Sequence, residues 1–256
     1  MTKPKLVKQV FEGRYEKGYR YLDRCGEAML ILEEVLPTET GKVWMPEDIA
    51  PTGAKLKCPD LEMSVAFDSY HLVVDQDPAD ATIDLSQVTS AVFSVLAARF
   101  DLKSYIRFGH RRFYMFATDS IDDAQKLSVK MSPSRDWPIQ NLDGMHIAAA
   151  DTTTLYERSD ASQGVRISLK STSRADAVQQ VDPRLLQSAR LLHSGQREAL
   201  IGQLHRQAKR EKDPLAGVML DIDYYWNRPS KLDLGEFFTA AGRETDSLVH
   251  EATKAN

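Results

Sequence analysis

The chain has only two cysteines in 256 residues, Cys25 and Cys58. They stand apart, with no C-x-x-C spacing and no Cys/His cluster around either, so the sequence offers no recognisable zinc site or redox pair. Cys25 falls within a helical apolar stripe and reads as a small buried hydrophobe. Cys58 precedes Pro59 in a loop or strand start. A disulfide between the two stays open, though two thiols in a soluble chain more often stay reduced in a cytosol. Long hydrophobic runs are also missing. None approaches the ~18 apolar residues of a membrane span, and the N-terminal MTKPKLVKQVFEGRY has no apolar core of a signal peptide. The expected location is therefore the cytoplasm, with no membrane partner.

Charge of one sign is lacking too. Thirty-three Lys and Arg stand against 37 Asp and Glu, a net charge of −4, which argues against a uniformly basic polyanion binder. Glycine (13) and proline (11) are too sparse for a collagen-like or low-complexity chain, and 42% hydrophobic residues suit a globular one. There is no G-x-S-x-G, no P-loop and no G-x-G-x-x-G. The histidines at 71, 110, 146, 193, 205 and 250 are scattered, without H-x-H, H-x-x-x-H or H-E-x-x-H spacing, so no metal is expected from them. No fixed-period repeat is visible.

What is present is hydrophobic periodicity. Residues 5–12 alternate loosely and predict an edge strand. Leu22, Cys25, Met29, Leu32 and Leu36 recur at helical spacing, with Pro37 as the stop. Residues 37–59 read as a long connection. Residues 61–67 and 70–75 predict a hairpin around Asp68-Ser69. Val88, Ala91, Val92, Val95 and Leu96 mark a helix capped by Asp84 or Ser86. Residues 104–117 predict an aromatic strand interrupted at Gly109, followed by a helix from near Ser120 or Asp122 to before Pro133.

This β-α-β-β-α-β order predicts an α+β protein whose first half, 1–132, is ferredoxin-like. Residues 133–144 are the candidate linker. Residues 145–256 form a second, ββαβα half: strands at 145–157 and 164–171, a long helix over about 183–212, a strand at 216–226, and a last helix capped by Asp233 with Glu236. The sheet is expected to be mainly antiparallel. Whether the two packed halves share it is open at this level.

Three constellations bear on function. In the strand 104–117, Arg107, Gly109 and Arg111 share a face if the strand is regular, with Arg112 adjoining and Phe108, Phe113, Tyr114 and Phe116 interleaved. Five Lys/Arg and one Asp lie between Arg99 and Arg112. Arg107, Arg111, Arg112 and Tyr114 are the candidates for binding a nucleotide or nucleic acid, by phosphate pairing and base stacking. The plainer reading is a solvated or ion-paired sheet face. In the strand 216–226, Asp221 and Asp223 project to one face, a D-x-D pair able to hold Mg²⁺ for phosphodiester cleavage. Lys170 and Asp151 are conceivable companions; the plainer reading is that these carboxylates pair with the arginines. The third constellation is a charge reversal. Residues 184–212 carry seven Lys/Arg and two Glu, whereas 213–256 carry eight acids and four bases, a pattern more simply explained by internal pairing than by a phosphate-contacting helix. The aromatic cluster Tyr224-Tyr225-Trp226, with Asn227, Arg228 and Pro229, is expected to pack against the terminal helix.

The Arg107-Phe108-Gly109-His110-Arg111 strand with its Arg112-Phe113-Tyr114 continuation, the Leu220-Asp221-Ile222-Asp223-Tyr224 strand and the amphipathic helix from Leu234 to Ala252 together resemble a sporadically distributed family of uncharacterised bacterial proteins of similar size. The chain departs from that pattern where Lys3-Pro4-Lys5 replaces a proline-rich strand entry. The resemblance implies architecture and bacterial origin, and no catalytic residue. The expected function is a non-enzymatic binding or assembly protein acting on a protein partner or as a homo-oligomer, with no cofactor. Nucleic-acid or nucleotide binding through the basic-aromatic strand is the first alternative. A metal-dependent phosphodiesterase or nuclease using Asp221 and Asp223, with Mg²⁺, is the second.

Overall fold

A computed structural model describes residues 3–77, 79, 84–132, 151–173, 216–229 and 232–255. The expected linker 133–144, the start of the strand at 145–157 and the basic helix over 183–212 lie outside the described residues.

The strand expected at the sheet edge is the middle strand of the sheet. β1 (Lys5–Tyr15) lies between β5 (His71–Gln76) and β6 (Tyr105–Thr118), antiparallel to both. Its lysines suggested an edge, but Lys8 is neutralised by Asp75 at 2.9 Å and Asp77 at 3.6 Å. Its other face carries Phe11 and Tyr15, both fully buried.

Helix α1 (Tyr21–Thr40) does not stop at Pro37. Proline forfeits one backbone hydrogen bond near the helix end, and the final turn still closes because Gly41 donates its N–H to the Pro37 carbonyl at 2.8 Å. Gly41 has φ +65°, a conformation that suits glycine and ends the helix. Tyr21, not Leu22, opens the buried stripe; Leu22 is exposed.

The stretch read as a connection contains a hairpin, β2 (Met45–Ala50) and β3 (Gly53–Cys58). Ala54, Leu56 and Cys58 are buried on one face of β3, while β2 is exposed along most of its length. The proposed 61–67/70–75 hairpin is β4 (Met63–Phe67) and β5. Asp68 accepts the amides of Tyr70 and His71 in its turn.

Helix α2 (Leu85–Phe100) is capped by Asp84, which accepts Ser86 N–H at 2.8 Å, and α3 (Ile121–Met131) by Ser120. The remaining strands are β7 (Thr152–Glu157), β8 (Gln163–Ser173) and β9 (Ala216–Asn227), and α4 (Leu234–Ala255) follows. Asp233 caps α4 by accepting Glu236 N–H at 3.0 Å.

The result is an α+β fold with one nine-stranded sheet, in the order β2-β3-β4-β5-β1-β6-β9-β8-β7. Every described pairing is antiparallel. The sheet runs continuously from the N-terminal to the C-terminal strands, because β6 pairs with β9 from Arg107↔Asn227 to Thr118↔Ala216.

The four α-helices among the described residues pack their apolar residues on the same side of the sheet. One core joins α1, α2 and the start of α4 to β1, β3, β4, β5 and β6. A second joins α3 and the end of α4 to β6, β8 and β9. Helix α4 bridges them, with Phe237 in the first and Leu248 and Val249 against the second. Between the cores runs a polar seam across paired positions: Gln76, Gln9, Arg112 and, two residues along β6, His110. Gln9 Nε2 donates to Gln76 Oε1 at 2.8 Å within it.

Candidate functional site

Neighbouring strands place directly paired residues on the same face of a sheet. On the face opposite the helices, β6 presents Arg107, Gly109, Arg111 and Phe113, and β9 presents Asp221, Asp223 and Tyr225. The arginines and aspartates picked out in the sequence therefore meet, and they meet as partners. The Arg111 guanidinium grips Asp221 with both arms, Nε to Oδ1 at 2.7 Å and Nη2 to Oδ2 at 2.5 Å, and lies 4.7 Å over the Phe113 ring. This hydrogen-bonded carboxylate is the main reason the Arg111 pKa is raised further above its ordinary value.

Arg107 reaches along its own strand, past Gly109, to place Nη2 2.9 Å from Asp223 Oδ2. Its guanidinium sits 4.6 Å from the centre of the Tyr225 ring. A Cβ on Gly109 would lie 3.5 Å from Asp223 Oδ1 and 3.7 Å from Arg107 Nη2. These are ordinary contact distances, so neither a bulge nor a close approach demands the glycine; the strand is uninterrupted, and Gly109 keeps register with Glu12 and Tyr225. Arg166, directly opposite Asp223 on β8, adds a second guanidinium at 3.2 Å.

Tyr225 lies flat across Gly164 of β8, where any Cβ would overlap the phenol ring. Its hydroxyl donates a short hydrogen bond to Glu157 on β7. Burial first, and then this bond, raise the Tyr225 pKa to about 12. Gly164 therefore lets Tyr225 lie along the sheet instead of standing off it. The stack links four strands, β6, β9, β8 and β7.

Arg112 and Tyr114 are not part of this surface. Alternation turns them to the helix side, where Arg112 Nη1 is 3.6 Å from Asp246 of α4 and Tyr114 is buried. The expected four-residue cluster of Arg107, Arg111, Arg112 and Tyr114 is thus divided between the two faces. Lys170 shares the open face by register. Asp151 accepts Ser171 N–H at 3.1 Å instead of joining Asp221 and Asp223. Among the described residues no three His, Cys, Asp or Glu side chains converge to hold a metal ion. The Tyr224 and Trp226 rings pack on Phe237 of α4, with centroids at 5.8 and 5.5 Å, as expected for that cluster.

The buried ionisable group that sequence reasoning passed over is His110, only 2% exposed. Neither ring nitrogen has a hydrogen-bond partner, and the ring meets Phe238 of α4 edge-on at 5.1 Å. Burial, reinforced by the Arg112 charge, holds its pKa well below the ordinary 6.5. The folded protein therefore keeps His110 neutral, while the unfolded chain takes up a proton as pH falls below about 6.5. Stability that is complete above that pH is lost toward lower pH, by up to about 1.4 kcal/mol per pH unit. His110→Gln should flatten this slope between about pH 6.5 and 5, measured by urea unfolding at fixed pH steps. An unchanged slope would show that His110 is not its source.

No protein-family model matches the chain, and no curated protein matches it either.

Proposed function

We propose that the chain is a non-enzymatic binding or assembly protein of the bacterial cytoplasm. One observation carries this reading: the sheet ends at β7 in a strand with no outer partner among the described residues, bearing Leu155 and Tyr156 more than half exposed. Sheet edges of this kind recruit further strands. The free, buried thiols of Cys25 and Cys58 accord with a reducing compartment. Among the described residues no helix is long and apolar enough to cross a membrane.

We further propose that the first half is ferredoxin-like. The order β4-β5-β1-β6, with α1 and α2 as crossovers, supports it, the β2–β3 hairpin being added outside β4. Membership of the bacterial family resembled by the three sequence segments belongs to the same proposal.

The two alternatives lose their chemical basis in the ion pairs. A cation between Asp221 and Asp223 would have to displace three guanidinium groups. A base stacking on Phe113 or Tyr225 would find one ring face already covered by arginine. Millimolar Mg²⁺ or Mn²⁺ should therefore leave the melting temperature unchanged, and fluorescent single- and double-stranded DNA and RNA should not bind at low salt. A rise in melting temperature with phosphodiester cleavage would establish the metal enzyme instead. Binding that weakens steeply with salt would establish nucleic-acid recognition.

A further inference from the structure

The two edges of the sheet are built differently. β2 carries Pro46, an irregularity in its pairing between Pro46 and Asp48, and the acids Glu47 and Asp48. Proline, kinks and charge are the usual means by which an edge refuses another strand. β7, with the sequence TTTLYE, carries no proline or lysine, and its pairing with β8 is regular throughout. β-Branched and aromatic residues of this type favour sheet.

We propose that β7 pairs with β7 of a second copy of this chain, antiparallel about a two-fold axis at Leu155. This rests on the binding-or-assembly reading and names its partner. Hydrogen-bond parity narrows the register. Arg158 N–H donates to the Gln163 carbonyl at 3.0 Å. In an antiparallel ladder bonded and non-bonded pairs alternate, so Thr152, Thr154 and Tyr156 direct their backbone groups to β8. Thr153, Leu155 and Glu157 direct theirs outward. The contact of Thr153 Oγ1 with Ser168 Oγ at 3.0 Å agrees, since side chains approach closely in non-bonded pairs.

A symmetric partner must bond outward residues to outward residues, so the axis passes through a residue and not between two. Centred on Leu155, it sets Leu155 against its copy, Thr154 against Tyr156 and Thr153 against Glu157. About six backbone hydrogen bonds form. Two exposed leucines are covered, a threonine meets an aromatic ring, and the acids Glu157 are kept apart; such cross-strand pairs are the favourable ones.

The test is sedimentation equilibrium of the full chain over a wide concentration range, beside Leu155→Pro and Leu155→Lys. Leu155→Pro removes an outward N–H without removing a bond to β8. Leu155→Lys places like charges face to face while leaving the backbone intact. Wild type should dimerise, and both variants should weaken the dimer by roughly tenfold or more with an unchanged circular dichroism spectrum. Hydrogen exchange at 153, 155 and 157 should slow only as the dimer forms. A dimer that persists in both variants would overturn the β7 pairing while leaving the assembly reading in place. A wild-type monomer at every concentration would overturn the pairing, and so would these amides being protected in a monomer, which would show the edge covered from within the same chain. The assembly reading itself falls separately, on metal-dependent cleavage or nucleic-acid binding.

Discussion

Replacing Phe237 by alanine is expected to lower the unfolding free energy by about 3–5 kcal/mol, the usual cost of emptying a fully buried phenylalanine site. Phe237 is wholly inaccessible to water. Its ring centroid lies 5.9 Å from Phe11, 5.9 Å from Phe108, 5.8 Å from Tyr224 and 5.5 Å from Trp226, with edge-to-face or tilted geometry throughout. Those four rings belong to β1, β6 and β9, so one side chain fastens α4 to three consecutive interior strands of the sheet. The loss is a large share of the roughly 5–15 kcal/mol available to a domain. Urea unfolding followed by tryptophan fluorescence reads it directly, because Trp226 is in the cluster. A loss below about 1 kcal/mol would mean that α4 does not dock there in solution.

Asp223→Ala is expected to cost about 2–4 kcal/mol. The Asp223 side chain is 8% exposed and accepts from both Arg107 and Arg166. Its removal strands Arg107, which is itself only 23% exposed, over Tyr225. The cost stays below that of a fully buried pair because Arg166, at 45% exposure, can turn to water. Asp223→Asn, which keeps the shape and loses the charge, should recover only a minor part. If Asp223→Ala unfolded at the wild-type urea concentration, the network would be ornamental, and its residues would be free to be read again as a site.

Periodicity made much of this fold legible. Val88 to Leu96, the Asp84 and Ser120 caps and the Leu234–Ala252 stripe each state their helix locally, and β4, β5 and β9 alternate plainly. The face of Arg107, Arg111, Asp221 and Asp223 could be read from spacing by twos. Their pairing depended on β6 and β9 becoming neighbours across more than a hundred residues, a fact no local pattern contains. The misreadings have physical causes. Pro46 and Pro51 and an exposed β2 disguised a hairpin whose only buried face is Ala54, Leu56 and Cys58. Lys8 makes a central strand look like an edge because its partners, Asp75 and Asp77, are far along the chain. Composition groups Arg112 and Tyr114 with Arg107, although alternation alone separates Arg112 from Arg111. Gly164 answers to a close approach, but the approaching group is the Tyr225 side chain, whereas Gly109 has only ordinary contacts around it. His110 showed no signal: its isolation comes from α4 closing over it.

The arginines and aspartates of the open face bind one another and serve the fold. A double-mutant cycle between Arg107 and Asp223 separates this role from ligand binding. Stability is measured by urea unfolding for the wild type, Arg107→Ala, Asp223→Ala and the double variant, with Mg²⁺ and nucleic acid absent and then present. A coupling energy of roughly 1–3 kcal/mol, the same with and without either ligand, is the predicted result. Coupling near zero, together with stabilisation by a ligand that either single variant abolishes, would contradict the claim and return these residues to a binding or catalytic role.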